Sequence, residues 1–359
     1  MSNHLFSNFK LGDMLLSNRV VMSPMTRSRC PDNIPNDMVV KYYAQRAEAG
    51  LIITEGTSPS DSGLGYARIP GLFTGEQMKA WKKVTEAVHH AGSKIFVQLM
   101  HCGRVAHPDN MMSGLEIVAP SPIALKDSQM WTDQNGLQDF PVPEEMSENE
   151  ILSTIEEYAH SADLAMQAGF DGVEIHGANG YLVDQFLNTA SNHRHDRWGG
   201  SIENRVRFAV EVVQAVAKKI GPKKVGIRLS PYGVFNGMVA DSHTEDLYER
   251  LAMDLNKLDI LYVHIVDHSS MGAPEVKPSV KDKIRKNFKG AVILSGGYDA
   301  KRAEHDLSEK KGDLFAFGRP FISNPKLVSK LKKHSPLHPV DESTLYTPGE
   351  KGYIDYPLD

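Results

Sequence analysis

The chain has 359 residues, 41% of them hydrophobic and 24% charged, which supplies a sizeable core and excludes disorder over the whole length. Forty Lys and Arg against 45 Asp and Glu leave a formal charge of -5 with no dense basic stripe, which argues against nucleic acid as a partner. Two cysteines, Cys30 and Cys102, are too few for an iron–sulfur cluster or a thiolate zinc site, and no apolar run nears the ~18 residues of a membrane span; a cytoplasmic protein with no membrane partner is expected.

Residues 1–18 set Phe6, Phe9, Leu11 and Leu15 around Gly12-Asp13 and read as a hairpin plugging the bottom of a barrel built by the rest of the chain. Beyond residue 18, short apolar runs alternate with helical periodicity. Strands are predicted at Arg19–Met22, Leu51–Thr54, Ile95–Gln98, Gly172–Ile175, Val225–Arg228, Leu261–Ile265, Ala291–Leu294 and Leu314–Phe317. Helices fill the gaps at about 37–49, 75–91, 147–168, 201–220, 244–258, 280–288, 300–310 and 324–333, the third opened by a Ser147/Glu150 capping box. Continuously apolar strands with helices between them mean a parallel sheet covered on both faces. Eight such units predict a single-domain (β/α)8 TIM barrel, class α/β, spanning residues 1–359. After strand three, residues 101–146 carry five prolines outside the repeat, and a connection that long is read as a lid.

In such a barrel the C-terminal strand ends converge on one face. Here they deliver Met25 and Thr26, Glu55 to Thr57, Gln98, His176, Arg228, His264, Ser295 to Gly297, and Gly318 with Arg319. Gly296 and Gly297 after strand seven, with Gly318 and Arg319 after strand eight, suit a phosphate: glycine lets backbone N–H groups approach an anion, and a guanidinium clamps its oxygens. No Gly-x-Gly-x-x-Gly follows a strand, so a mononucleotide fits better than a tightly held dinucleotide. Strand four releases His176, Asn179 and Tyr181 within six residues. His and Asn can grip one oxygen together, and Tyr, with an ordinary pKa near ~10, is a weak acid, which suits a substrate that becomes an oxyanion and then takes up a proton.

The ordered runs Asn18-Arg19-Val20 to Arg27, Tyr42 to Ala47, Gln98 to His101, His176 to Tyr181, Asp196 to Ser201, Phe317-Gly318-Arg319 and Gly352 to Pro357 resemble the Old Yellow Enzyme family, FMN-dependent ene-reductases, and in particular bacterial members similar to N-ethylmaleimide and nitrate-ester reductases. The resemblance covers nearly the whole chain. It implies non-covalent FMN held by Pro24, Met25, Thr26, Gly56, Gln98, Arg228, Gly296, Gly297, Gly318 and Arg319, with NADPH or NADH as reductant and ping-pong kinetics. It further implies that His176 and Asn179 hold a carbonyl or nitro oxygen and that Tyr181 protonates the α-carbon once hydride has reached the β-carbon. Tyr66, Met100 and Tyr346, together with residues of the lid, would line the substrate cavity. The implied substrates are activated alkenes: α,β-unsaturated carbonyls, maleimides and nitroalkenes, with nitrate esters as a further class.

Met100 stands where many relatives carry Trp, which predicts a roomier pocket. Several residues admit other roles. Arg228 could be an ion-pair residue with Glu174 or Asp267, the isolated aromatics could be packing, and Cys102 a space-filler. At the level of function, a dienoyl-CoA reductase-like barrel would need an extra domain and a cysteine cluster, and a barrel aldolase a Schiff-base lysine at a strand end; neither feature is in the sequence. A non-catalytic FMN-binding sensor would bind flavin without turnover. His193 and His195 lack converging carboxylates and are assigned to the surface, with no metal expected. Monomer and homodimer remain equally open.

Overall fold

The computed structural model describes residues 4–359, so the first three residues of the hairpin segment lie outside the described part. Eight strands, all parallel, close into a barrel: β1 (Val20–Met22), β2 (Leu51–Thr57), β3 (Lys94–Leu99), β4 (Gly172–Gly177), β5 (Val225–Leu229), β6 (Tyr262–Val266), β7 (Ala291–Ser295) and β8 (Leu314–Phe317). Each pairs with the next, and β8 closes on β1. Every predicted strand is present, because strands covered on both faces keep a near-continuous apolar signal. β2 runs three residues further than predicted, through a register shift between Ile53 and Gly56 that turns its end toward the barrel mouth.

Helices α1 (Asp37–Gln45), α2 (Gly75–His90), α3 (Glu148–Gln167), α4 (Leu182–Leu187), α5 (Ile202–Ile220), α6 (Thr244–Lys257), α7 (Pro278–Asn287), α8 (Ala300–Ser308), α9 (Arg319–Ser323) and α10 (Leu327–Lys333) flank the barrel. The capping box read at Ser147 forms as expected, with Glu150 N–H donating to Ser147 Oγ and Ser147 N–H to Glu150 Oε2. α4 and α9, six and five residues long, were not predicted, being too short to show a helical period.

The barrel interior is divided by polarity. Its lower half is apolar, with Val21, Leu51, Ile53, Phe96, Tyr262, Ile293 and Leu314 packed on Leu11 and Leu16. The last two belong to the antiparallel hairpin Phe9–Leu11/Met14–Leu16, which plugs the bottom. Above this floor the inward positions turn polar: Gln98, Glu174, His176, Arg228 and His264. Side chains two apart share a face, so Glu174 and His176 look into the same interior.

Residues 101–146 leave the barrel after β3 and carry a two-stranded hairpin, Gln129–Thr132 with Gly136–Asp139. The C-terminal segment is fastened across the first βα unit by three buried arginines. Arg27 donates to the carbonyls of Leu345 (3.1 Å) and Gly352 (2.7 Å), and Arg29 to those of Thr344 and Leu345 (both 2.7 Å). Arg46 donates to Tyr42, Phe321, Ile322 and Tyr353 carbonyls, with its guanidinium 3.7 Å over the Tyr42 ring, itself stacked on Tyr353. Arg46→Met keeps the stem but strands these carbonyls in the interior, and at ~1–3 kcal/mol for an unsatisfied buried group the variant is expected to lose roughly 3 kcal/mol or more in urea denaturation. A loss below about 1 kcal/mol would mean that the clamp contributes little to the fold.

Candidate active site

At the end of β3, β4, β5 and β6 the interior holds a polar layer without an internal ion pair for its guanidinium. Gln98 Nε2 donates to Glu174 Oε1 at 2.8 Å, and His264 Nδ1 lies 2.9 Å from Glu174 Oε2, with its Nε2 3.0 Å from Ser295 Oγ. Glu174 is therefore satisfied without Arg228. Asp267 is taken by Lys281 at 3.0 Å and by the Ser269 N–H. The ion pair considered from the sequence does not form: Arg228, 6% exposed, has an Nε without a partner, and burial lowers the pKa of its guanidinium. Glu174 offsets part of that cost through space, but among the described residues no carboxylate pairs directly with the guanidinium, and a desolvated cation at a cavity wall with a free donor edge fits an anionic or electron-rich ligand.

His176 ends the neighbouring strand, paired in register with Arg228. Burial first and Arg228 second push its pKa well below the ordinary histidine range, so the ring is neutral. The Ala178 N–H donates to Nδ1 at 3.3 Å, which puts the ring proton on Nε2 and makes that nitrogen a donor. Asn179 and Gly180 follow with φ of 60° and 76°, a left-handed pair that swings Tyr181 back over His176, rings 4.8 Å apart and edge-on. The buried Asp184 carboxylate, one turn into α4, accepts from the Gly180 N–H (2.9 Å) and the Ser230 hydroxyl (3.3 Å); Ser230 Oγ in turn accepts from the Asn179 N–H at 2.9 Å. Asn179 Oδ1 is 2.8 Å from His268 Nε2, leaving its Nδ2 without a protein partner. The Tyr181 hydroxyl lies 3.1 Å from that of Tyr66, and burial raises the pKa of both phenols, which stay protonated.

These groups share a cavity of about 530 Å³, within the usual range for small-molecule sites. Of the residues expected from the sequence, Pro24, Thr26, Gly56, Gln98 and Arg228 line it, as do Tyr66, Met100, His176, Asn179, Tyr181 and Tyr346. Tyr346 is 61% exposed and stands at the mouth. Gly56 and Met100 are complementary: a Cβ at Gly56 would run into the Met100 thioether, whose Cε would lie 2.7 Å away. Met25, Gly296, Gly297, Gly318 and Arg319 are not in the cavity lining. Gly318 adjoins Met25, and the left-handed Gly297 (φ 61°) abuts Ser270, so β1, β6, β7 and β8 end side by side there, next to the exposed Arg319. Cys102 is a buried space-filler with its thiol pKa raised by burial, and His193 and His195 are exposed.

Ser28, Arg68 and Asn236 line the cavity and were missed from the sequence, while the lid residues expected there are Gln129, Met130, Trp131 and Leu137 of the hairpin. Asp184, Ser230 and His268 were missed as supports. His268 lies two residues beyond the end of β6, where following the chain past His264 would have found it.

A barrel of this kind, with an unpaired arginine donor edge and a wall of donors in one cavity, fits a class, the flavin-dependent oxidoreductases, which the relatives of the chain identify. A family model described as NADH:flavin oxidoreductase / NADH oxidase family matches residues 4–338. The 12-oxophytodienoate reductase 1 of rice is 40% identical over 360 residues, covering 99% of this chain and 93% of that protein. The chanoclavine-I aldehyde reductase of Penicillium roqueforti is 42% identical, covering 98% and 95%. Among solved structures, morphinone reductase superimposes with a TM-score of 0.95 at 41% identity, covering 99% of this chain and 96% of the other; its complex with tetrahydroNAD gives 0.93 at 41%, covering 98% and 97%. The chain belongs to the NADH:flavin oxidoreductase / NADH oxidase family, the Old Yellow Enzyme group of FMN-dependent NAD(P)H ene-reductases.

Two outcomes test the electrostatics. Arg228→Met is expected to weaken FMN binding by roughly 30-fold or more, the usual effect of truncating one partner of a buried charge pair, while raising the thermal midpoint of the flavin-free protein; unchanged FMN retention on gel filtration would refute the assignment. Asp184 has its pKa raised by burial from 3.8 to about 7, so the folded chain holds a proton that the unfolded chain gives up. Its contribution to stability is complete below pH 3.8 and declines as pH rises through 7. Asp184→Asn should flatten the dependence of the urea midpoint on pH between about pH 4 and 7, and an unaltered slope there would show that Asp184 is ionised throughout.

Proposed function

We propose that this protein reduces the C=C bond of alkenes activated by a carbonyl or nitro group, and that the work is divided among its own residues. His176 Nε2–H and the Asn179 Nδ2 amide donate to the activating oxygen, gripping it more strongly as negative charge develops there. Tyr181 gives its proton to the α-carbon and is supported by the Tyr66 hydroxyl. Arg228, Gln98, Thr26, Pro24 and Gly56 hold the ring system of FMN, and Met25, Gly296, Gly297, Gly318 and Arg319 its phosphate. The chemistry FMN supplies is hydride transfer, accepted from a nicotinamide and passed to the β-carbon. Met100, Tyr66 and Tyr346 bound the substrate. The 101–146 excursion acts as a lid on a one-domain barrel, through its Gln129–Asp139 hairpin. The proposed substrates are enones, maleimides and nitroalkenes, extending to nitrate esters, with NADPH or NADH as reductant in the cytoplasm.

The observation that carries this reading is the convergence of three uncharged donors, His176, Asn179 and Tyr181, on one cavity that also holds a buried arginine whose Nε has no hydrogen-bond partner among the described residues. It is supported by the relatives, whose names (12-oxophytodienoate, an aldehyde, morphinone) have a carbonyl in common.

Anaerobic stopped-flow mixing tests it: NADPH should bleach the flavin and 2-cyclohexenone restore its colour, in independent half-reactions. With Tyr181→Phe the bleaching should proceed at the parent rate while recovery slows by about 10²–10⁴-fold, the usual range for a lost general acid. A yellow protein that NADPH reduces and no enone reoxidises would favour a flavin sensor instead.

A further inference from the structure

Asn179 is held from more sides than a substrate contact requires. Its N–H donates to Ser230 Oγ and its carbonyl accepts from Asn236 Nδ2 at 2.8 Å, which fixes the main chain. The side chain is fixed separately. Its Oδ1 lies 2.8 Å from Nε2 of His268, whose ring packs edge-on against Phe235 with centroids 4.6 Å apart. Thus the loops after β5 and β6 both support one residue after β4.

The two ends of an Asn amide are nearly the same size, and a half-turn about the last torsion exchanges donor for acceptor. Nothing in the Asn179 backbone chooses between them. A neutral imidazole that carries its proton on the nitrogen facing the amide decides what the other side shows to a ligand. We infer that His268 is a positioning residue which, by donating Nε2–H to Asn179 Oδ1, turns the amide N–H groups into the cavity and so selects oxidising substrates whose activating group is an acceptor-only oxygen. This rests on the proposed oxygen-holding role of Asn179. A carboxamide, both donor and acceptor, fits either orientation of Asn179, so the nicotinamide ring depends on His268 far less than an enone or nitro compound does.

The surroundings agree with a neutral, donating ring. Burial, then Arg228, holds the His268 pKa down at about 4, so one proton is shared between its two nitrogens at neutral pH, and Nδ1 has no protein partner to claim it. Asp267, the adjacent carboxylate, is occupied by Lys281 and the Ser269 N–H.

The test uses the FMN-loaded enzyme and 4-nitrophenolate, a planar oxyanion that reports donors in the cavity through its own absorbance. His268→Leu, which removes the donor, should weaken 4-nitrophenolate binding about tenfold, as for one lost hydrogen bond to a charged group. His268→Gln, which can still donate, should come back to within about threefold of the parent. The apparent Kd for NADPH in flavin bleaching should change by less than about threefold in both variants. In an Asn179→Ala background, His268→Leu should weaken 4-nitrophenolate no further. Parent-like affinity in His268→Leu would overturn the inference, as would an equal loss for NADPH, or a full loss persisting without the Asn179 amide. If Asn179→Ala alone leaves 4-nitrophenolate binding untouched, the oxygen-holding role fails and the inference falls with it. If Asn179→Ala weakens binding and His268→Leu does not, only the inference falls.

Discussion

Arg228 sets the terms for the upper half of the barrel. A guanidinium taken out of water loses several kcal/mol of solvation, and here Glu174 returns only part of it through space, its oxygens being bonded to Gln98 and His264, while Asp267 is paired with Lys281. That leftover charge explains features that would otherwise look unrelated. It helps hold His176 and His268 neutral, as the donor roles proposed for both require. It also leaves a positive wall for a flavin, which becomes electron-rich when reduced. Below it lies a dry floor of Phe96, Tyr262 and the hairpin residues Leu11 and Leu16, which lets water reach the charge only from the cavity side.

Much of this was legible in the sequence, for identifiable reasons. A parallel strand buried on both faces cannot hide its apolar run, so all eight were found, and the capping box at Ser147 marks a helix start by local chemistry alone. The site was legible where its residues sit at strand ends, because the fold dictates that those ends converge. What escaped was whatever depends on two loops meeting. The Tyr66–Tyr181 contact spans 115 residues and the Asn179–His268 contact 89, and no periodicity announces either. The partner of Arg228 was open for the same reason: Glu174 is on the adjoining strand, but the register aligns it with Gln98 and leaves His176 beside Arg228. The 101–146 stretch was read as a lid, but no signal showed that it reaches the cavity through the Gln129–Asp139 hairpin. Its exposed Trp131 and Leu137 pair across the strands at the cavity rim, where apolar side chains serve a ligand rather than a core.

Gly56 and Met100 show how a small departure is accommodated. With no Cβ at 56, the Met100 side chain lies directly against the β2 backbone, and a flexible thioether fills that space without fixing its shape. The cavity wall there is soft on one side, whereas the His176–Tyr181 side is pinned by Asp184, Ser230, Asn236 and His268. Rigid chemistry thus faces an adaptable wall, an arrangement suited to one reaction on many shapes.

The arginine clamp on the C-terminal segment also orders events during synthesis. Arg27, Arg29 and Arg46 are synthesised 307 to 325 residues before the carbonyls of Thr344, Leu345, Gly352 and Tyr353 that satisfy them. Until then the first βα unit carries three guanidinium groups short of acceptors, and Tyr346 is absent from the cavity mouth. A nascent chain can therefore assemble most of its strands and still be unable to finish either its first unit or its binding site. Completion of the pocket is tied to the arrival of residues 344–353, so a chain cut short before them is left with an open mouth and an unfinished core at the same time.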